Sequence, residues 1–539
     1  MNELRRRSRL RYNVCVTDVN VVREFGGLFG SHNRPAIGRG FPPPGGSTHR
    51  IREPGAIFVI FPGLSNSKDE LKMRLLNTIP ERGLMDFLKN SFLLLGSAAL
   101  IFSGGCADSS TTPGLPQTTS TETDGAGHST TNEAVQNSEA VTASTVKEET
   151  DVVSFLPGPD AQKKILEELI LAEAGTIFQF EEGTFEFTDG LSLTVDNVTI
   201  RGRGMDKTIL SFKNQEAGAE GLYITSDNVV VEDIAIEDTK GNAIKSLKAD
   251  NILYRNVRTE WSGGPLSTNG AYGLYPVSSR NVTVDGCVAI GASDAGIYVG
   301  QSINVVVKNC RAEYNVAGIE IENCHEAEVF GCEATNNTGG ILVFDLPDLP
   351  QQNGHNVRIY RNQIHGNNTA NFAPEGNIVG TVPAGTGVQI MANSHVEVFE
   401  NDILNHGTSN ILIVSYLATG KDIKDPNYYP YAEAIHVHHN KFSAGGDKPD
   451  NDGGRLMAAI LGTPLPDIIW DGVVNEEKRV DGALPVEAGI SIHDNSKEDG
   501  EVTFGNLGGL PSLVDPGNAR PTRDLEPHRE PLPSVGPVE

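Results

Sequence analysis

Three cysteines in this chain fall on a regular beat. Aligning RNVTVDGC (280–287), INVVVKNC (303–310) and EAEVFGC (326–332) places Cys287, Cys310 and Cys332 at spacings of 23 and 22 residues. A second marker keeps the same time: in YGLYPV, AGIYVG, AGIEIE and GGILVF, the glycines Gly273, Gly296, Gly318 and Gly340 follow one another at 23, 22 and 22. Related pieces recur as NVVVEDIAI, NILYRNV, NVRIYRNQI, HVEVFENDI, AIHVHHNKF and GISIHDN, and asparagine returns in the later repeats at Asn256, Asn309, Asn362, Asn401, Asn440 and Asn495. A unit of about 22 residues, holding two or three short strands between Gly, Asn and Asp corners, cannot bury a core by itself and must stack on its neighbours. Parallel stacking brings equivalent residues to within about 4.8 Å. Ladders are therefore expected: Val, Ile and Cys inside, and an Asn stack at a corner, where amides satisfy turn backbone and one another.

Leucine-rich repeats share this period, but their leucine frame is missing here. The sequence resembles a right-handed parallel β-helix of the broad pectate-lyase-like superfamily, which includes carbohydrate-binding and sugar-hydrolase domains. Within it, ILIVSY (411–416) followed by DPNYYPYAEAIHVHHNKFSAGGDKPD (425–450) is similar to the C-terminal signature of exported or lipid-anchored bacterial β-helix repeat proteins. That resemblance implies an architecture, and it supplies no reaction. The expected fold class is all-β: a solenoid of about ten to twelve coils over 176–504. A short capping helix is expected within 151–175, because after Asp160 the stretch AQKKILEELILAEAG sets Ile165, Leu166, Leu169 and Ile170 at helical spacing and stops at Gly175. Residues 460–475 are predicted to form a loop or an irregular last coil, and 505–539 a Pro-rich extended tail.

The rest of the chain has a different character. With 539 residues, 59 glycines, 6% aromatics and a formal charge of -27, the protein is acidic and turn-rich, which disfavours nucleic acid as a partner. Residues 1–84 alone are basic, with 14 Lys and Arg against 7 Asp and Glu. They are expected to be a disordered extension, a recruiting arm or an upstream start outside the mature protein, the last being favoured. Residues 85–105 read as an export signal: Lys89 precedes an apolar run from Phe92 to Phe102 that is too short to span a bilayer. Met73 is another candidate start. The ending Ser103-Gly104-Gly105-Cys106 resembles a bacterial lipoprotein signal, although Ser103 stands where such signals usually carry Leu; an ordinary signal peptide is the alternative. The resemblance implies lipidation of Cys106 and a location in the bacterial cell envelope, anchored or secreted, with the lipid as the only membrane contact; the Ser/Thr-rich stretch over 106–150 is too polar to bury a core and reads as a flexible tether.

Candidate site residues follow from alternation along the strands. If Ile297, Val299, Ile319 and Ile321 point inward, the residues two after each Gly point out, making a column of Tyr275, Tyr298, Glu320 and Leu342, which Lys245 in NAIKSL and Gln389 in GVQI extend. The residues four after each Gly make a second column of Val277, Gly300, Glu322, Phe344 and Met391. Tyrosines and carboxylates on consecutive rungs suit an extended polysaccharide, with sugar rings stacked on Tyr and hydroxyls bonded to Glu. A solvated face of ordinary cross-strand pairs is the alternative. Lys245, Tyr275, Tyr298, Glu320 and Glu322 are thus the candidate ligand residues. Glu320 and Glu322 also form a carboxylate pair with the separation glycosidases use, about 6.5–7 Å.

The segment Tyr272-Gly273-Leu274-Tyr275-Pro276-Val277 is similar to the Tyr-Gly-Phe-Asp-Pro-His motif of alginate C5-epimerases. Tyr275 replaces the Asp, and Val277, which cannot move a proton, replaces the His. Tyr272 is left as a weak catalytic candidate. His436 and His438 share a strand face, but with no third ligand evident no metal is assigned, and structural occupation of the slot is favoured. Asp345, Asp348 and Asp425 lie in Pro-rich loops where calcium is conceivable without a calcium motif. Cys15 falls in the leader, and Cys287, Cys310, Cys324 and Cys332 are expected as a buried thiol ladder. The resulting expectation is a binding protein for an extended ligand, with a polysaccharide lyase, epimerase or hydrolase, or a scaffold for an envelope protein, as alternatives.

Overall fold

The computed structural model describes residues 151–443, 445–509 and 520–538. The expected leader, signal, lipidation site Cys106 and tether all lie outside them.

From Asp189 to Asn506 the chain winds as stacked coils, and every pairing between named strands is parallel. Each complete coil contributes three strands. In one of them, Ala295–Gly300 forms the first face, Ile303–Lys308 the second and Arg311–Glu313 the third. The first-face strands build an eleven-stranded sheet, and the other two faces share a 21-stranded one. Eleven rungs on the first face agree with the coil number implied by the repeat. The core is a set of aliphatic ladders, with Ile297, Val299, Val305, Val307 and Ala312 fully buried in this coil and their equivalents above and below. Helix α1 (Ala161–Leu171) buries Ile165 and Leu169 at the N-terminal end of the core. It sits behind a first strand, Val152–Phe155, which already pairs with Ile177–Phe180.

The glycine beat has a steric cause. At Gly318 an added Cβ would meet the Gly340 carbonyl oxygen at 2.6 Å and Asn337 Nδ2 at 2.8 Å, and at Gly340 it would meet the Gly387 oxygen at 2.5 Å. The first face passes the Asn corner so closely that no side chain fits, and the obstacle is largely backbone. Gly318→Ala is expected to destabilise by about 2–3 kcal/mol, read as a lower urea midpoint.

The six recurring asparagines fall into two columns rather than the one expected. Asn256 and Asn309 occupy the left-handed corner between the second and third faces, at φ 52° and 55°, a slot filled elsewhere by Gly286, Gly331, Arg361, Glu400 and His439. Asn362, Asn401, Asn440 and Asn495 stand one residue later and continue the inward ladder of Cys287, Cys310 and Cys332. The Cys332 N–H donates to Asn362 Oδ1 at 2.9 Å, Asn362 N–H to Asn401 Oδ1 at 3.0 Å, and Asn401 N–H to Asn440 Oδ1 at 3.1 Å. The four described cysteines are buried and free. Only three of them stack. Cys324 lies in line with Ser302 at a different corner, because Ile303 pairs with His325.

The C-terminal part departs from expectation. Helix α2 (Asn451–Leu461) was not foreseen, and Met457 and Leu461 pack on Leu412 and Ile469 of the first face. Ile468–Trp470 is a regular rung, and Phe504–Asn506 adds another. The described part of the tail does not extend into solvent: Thr522 bridges to Asn506, His528 sits edge-on to Trp470, and Leu532 is buried. Open solenoid ends expose core and unpaired backbone, so a tail that folds back satisfies both.

Candidate binding site on the outer tyrosine face

Backbone register supports both outward columns. Lys245 pairs with Tyr275, Tyr298 with Glu320, Glu320 with Leu342, and Leu342 with Gln389. In the second column Val277 pairs with Gly300, Gly300 with Glu322, Glu322 with Phe344, and Phe344 with Met391. These side chains do leave the solenoid lumen, yet most of them do not reach water. Tyr298 is 3% exposed, Glu320 1% and Glu322 7%, so the expectation of an exposed Tyr298–Glu320–Glu322 surface is corrected.

The cause is a roof of inserted loops. Phe372, Ala373, Ile378, Val379 and Val382 from the loop after Gln363–His365, with Tyr416 and Tyr428 from the loop after Ser409–Val414, cluster on Tyr298, Leu342, Phe344 and Met391. An outer face carrying Leu342, Phe344 and Met391 cannot be left to solvent without cost, and the loops bury it. The insertions are visible as stretched spacings, since Gly340 to Gly387 is 47 residues instead of 22.

Beneath the roof edge lie four carboxyls and three tyrosines. The rings of Tyr272, Tyr275 and Tyr298 are mutually packed, with centroids 4.4–5.0 Å apart. Tyr298 Oη donates to Glu322 Oε1 at 2.7 Å, Tyr272 Oη approaches Asp294 Oδ2 at 3.4 Å, and roof residue Asn377 donates to the same Oδ2 at 2.9 Å. Asp345 Oδ1 accepts the Gly354 N–H. Both oxygens of Glu320 lack a hydrogen-bond partner among the described residues.

Burial dominates the electrostatics. It pushes Asp294 up to about 7 against the hydrogen bonds from Asn377 and Tyr272, and Glu322 up to about 7 against the bond from Tyr298. Asp345 is likewise pushed up to about 7, and Glu320, buried and facing the charges of Asp294 and Glu322, is raised well above the usual carboxylate range. Tyr275 is pushed up to about 12, first by burial and then by Glu322 and Asp294. An unpartnered, buried Glu320 is stable only as the neutral acid.

The open part of the site lies before the roof. Tyr223, Lys245, Tyr272 and Tyr275 are part-exposed. Lys245 Nζ lies 5.0 Å from the Tyr275 ring centroid and 3.9 Å from Glu220 Oε1. Tyr223 pairs with Lys245 one rung earlier. It was missed in sequence, although Gly221 two residues before it repeats the glycine signal. Asp294, Asn377 and Tyr428 were also missed. Asp294 precedes its strand, and the other two lie in insertions that carry no repeat.

Among the remaining candidates, Asp345, Asp348 and Asp425 do not converge as metal ligands. Asp345 Oδ1 accepts the Gly354 N–H while its Oδ2 is buried without a hydrogen-bond partner among the described residues, and Asp425 accepts from Asn427 N–H at 2.9 Å. His436 and His438 lie on the second face, away from the tyrosines.

A family profile described as "Right handed beta helix region" matches residues 183–348. Together with the parallel registers this decides the architecture. The chain is a right-handed parallel β-helix. Among solved structures, this β-helix is similar to the A-module of mannuronan C-5 epimerase AlgE4 from Azotobacter vinelandii, at 13% identity over 63% of this chain and 91% of that one, TM-score 0.39. It is similar to an alginate lyase from Paenibacillus sp. at 13% identity over 66% and 98%, TM-score 0.37. A polygalacturonase from Erwinia carotovora aligns at 12% identity over 66% and 96%, TM-score 0.37. No curated protein sequence matches the chain.

Proposed function

We propose that the protein binds an extended polysaccharide on the outer first face, just ahead of the roof. The observation that carries this reading is the part-exposed column Tyr223, Lys245, Tyr275, flanked by Tyr272. Three consecutive rungs present ring, cation and ring at about 4.8 Å intervals. A sugar chain has the complementary repeat of apolar ring faces and hydroxyls. The net charge of -27 and the neighbouring Glu220 and Asp294 disfavour a polyanion, so a neutral glycan is the expected ligand. Tyr298, Glu320 and Glu322, buried under the roof, support the site from beneath and do not touch ligand.

A glycan array followed by calorimetry tests this. Tyr275→Ala is expected to weaken binding about tenfold, Lys245→Ala less, with no sugar product formed. Binding that is unchanged in both variants, or binding confined to envelope proteins, would overturn the reading in favour of a scaffold.

One observation favours a second reading as a glycan-processing enzyme: Tyr272 Oη reaches Asp294, whose carboxyl titrates at about 7, at the open rim. Unsaturated or reducing-end products formed by the wild type, and lost in Asp294→Asn with binding retained, would establish it.

A further inference from the structure

On the second face, far along the solenoid, an aromatic ladder runs Phe330, Tyr360, Phe399, His438 and His493, with ring centroids 4.9–5.3 Å apart. Beside it, register brings Glu397 against His436. This supplies what the sequence reading lacked, a third ligand for His436 and His438, from the preceding coil. One donor atom each from Glu397, His436 and His438 lie within 4.8 Å of one another, the only such group among the described residues.

The hydrogen bonds determine where the lone pairs point. Asp494 Oδ2 lies 2.8 Å from His493 Nδ1, and a carboxylate accepts, so that nitrogen carries the proton. His493 Nε2 is then the acceptor for His436 Nε2, 2.7 Å away. His436 Nδ1 is left bare. It is buried, has no hydrogen-bond partner, and faces Glu397 Oε1 at 3.9 Å. His438 Nε2 meets the same oxygen at 3.0 Å, while its Nδ1 lies 2.8 Å from His439 Nδ1. Glu397 Oε2 is occupied separately, by the Val535 N–H at 3.1 Å and by Arg358 at 3.7 Å, whose charge is shared with Glu328. Oε1 and two imidazole nitrogens thus converge on one point, with an Asp–His pair orienting one imidazole from behind as in zinc sites.

We infer that Glu397, His436 and His438 bind a divalent transition metal of the zinc class, with His493 and Asp494 as positioning residues. Two nitrogens and one oxygen suit zinc and disfavour calcium or magnesium. Tetrahedral zinc with bonds of about 2.0–2.1 Å places its ligands about 3.4 Å apart, between the 3.0 and 3.9 Å separations found here. The fourth position is left for water. On binding, His438 takes the tautomer with its proton on Nδ1, towards His439, so that Nε2 presents its lone pair to the metal.

The test is calorimetric titration of the chelator-stripped, purified chain with Zn²⁺ alone, paired with the visible absorption of a Co²⁺-loaded sample. One equivalent per chain and a tetrahedral Co²⁺ spectrum are expected. His436→Ala and His438→Ala each weaken Zn²⁺ binding by more than about 100-fold, and Asp494→Asn by about 10–100-fold. Since a variant that misfolds is uninformative, X-ray absorption of the zinc-loaded wild type is the second measurement, expected to show two imidazoles. A wild type that binds no stoichiometric Zn²⁺, a zinc shell without imidazole, or a folded His436→Ala/His438→Ala double variant that binds as the wild type does would overturn the inference.

Discussion

Asn401→Ala is expected to cost about 3–5 kcal/mol. Asn401 Oδ1 accepts from both the backbone N–H and the side-chain Nδ2 of Asn362, each at 3.0 Å, while its own Nδ2 donates to Ile359 O and Asn440 Oδ1 at 2.9 Å. All three asparagines are about 1% exposed, so water cannot replace what is removed. Two donors on Asn362 are stranded, and each buried unsatisfied group costs about 1–3 kcal/mol. The outer ladder at the corner before the second face provides the contrast. There Asn304 Nδ2 donates to Asn281 Oδ1 at 3.1 Å on the surface, at a φ of 59° that glycine adopts freely. Asn304→Gly should shift stability by no more than about 0.5 kcal/mol. Urea melts of both variants, with hydrogen exchange at the Asn362 amide, separate the two ladders. A loss below about 1 kcal/mol for Asn401→Ala would mean that the inner ladder contributes little net stability.

The buried carboxyls predict an unusual pH profile. Asp294, Glu322 and Asp345 titrate at about 7 in the folded protein, and Glu320 is raised as well. Each binds its proton more tightly folded than unfolded. The stability they contribute is therefore fully present below about pH 4, where the unfolded chain is also protonated, and is lost as pH rises through 7. For Glu322, moving from its ordinary 4.5 to about 7 corresponds to about 3 kcal/mol between pH 4 and 8, an upper bound because neighbouring carboxyls share the effect. The melting temperature should fall from pH 5 to pH 8. General charge repulsion in a chain of net charge -27 acts in the same direction, so the decisive sample is Glu320→Gln. It removes a buried acid without changing shape, should leave pH 5 stability nearly unchanged, and should raise the melting temperature at pH 8. Parallel pH profiles for the variant and the wild type would show that Glu320 is not held neutral.

How much of the site was legible depended on whether a residue lay on the beat. Tyr275, Tyr298, Glu320 and Glu322 were placed on the outer face from their distance to a glycine and Lys245 by extending that column, and the backbone pairs of Lys245 with Tyr275, Tyr298 with Glu320 and Glu322 with Phe344 agree. Tyr223 obeyed the same rule and was overlooked. The inner ladder was misread by one residue, because an αL corner occupied by Asn and the inward slot after it occupied by Asn look alike in a linear alignment. The partnership of Glu397 with His436 and His438 joins residues 39 and 41 apart, and only the true coil length, lengthened by an insertion, shows that they are neighbours.

What the sequence determined by itself was the period, and with it the solenoid and the inside-outside alternation, because a unit too small to fold alone can bury its apolar residues only by stacking in register. What only the tertiary structure decided was exposure. A repeat states which way a side chain points, but whether water reaches it depends on where non-repeating loops settle. Here they settle on Tyr298, Glu320 and Glu322, turning an expected surface into a buried acidic cluster with its open edge at Tyr272 and Tyr275.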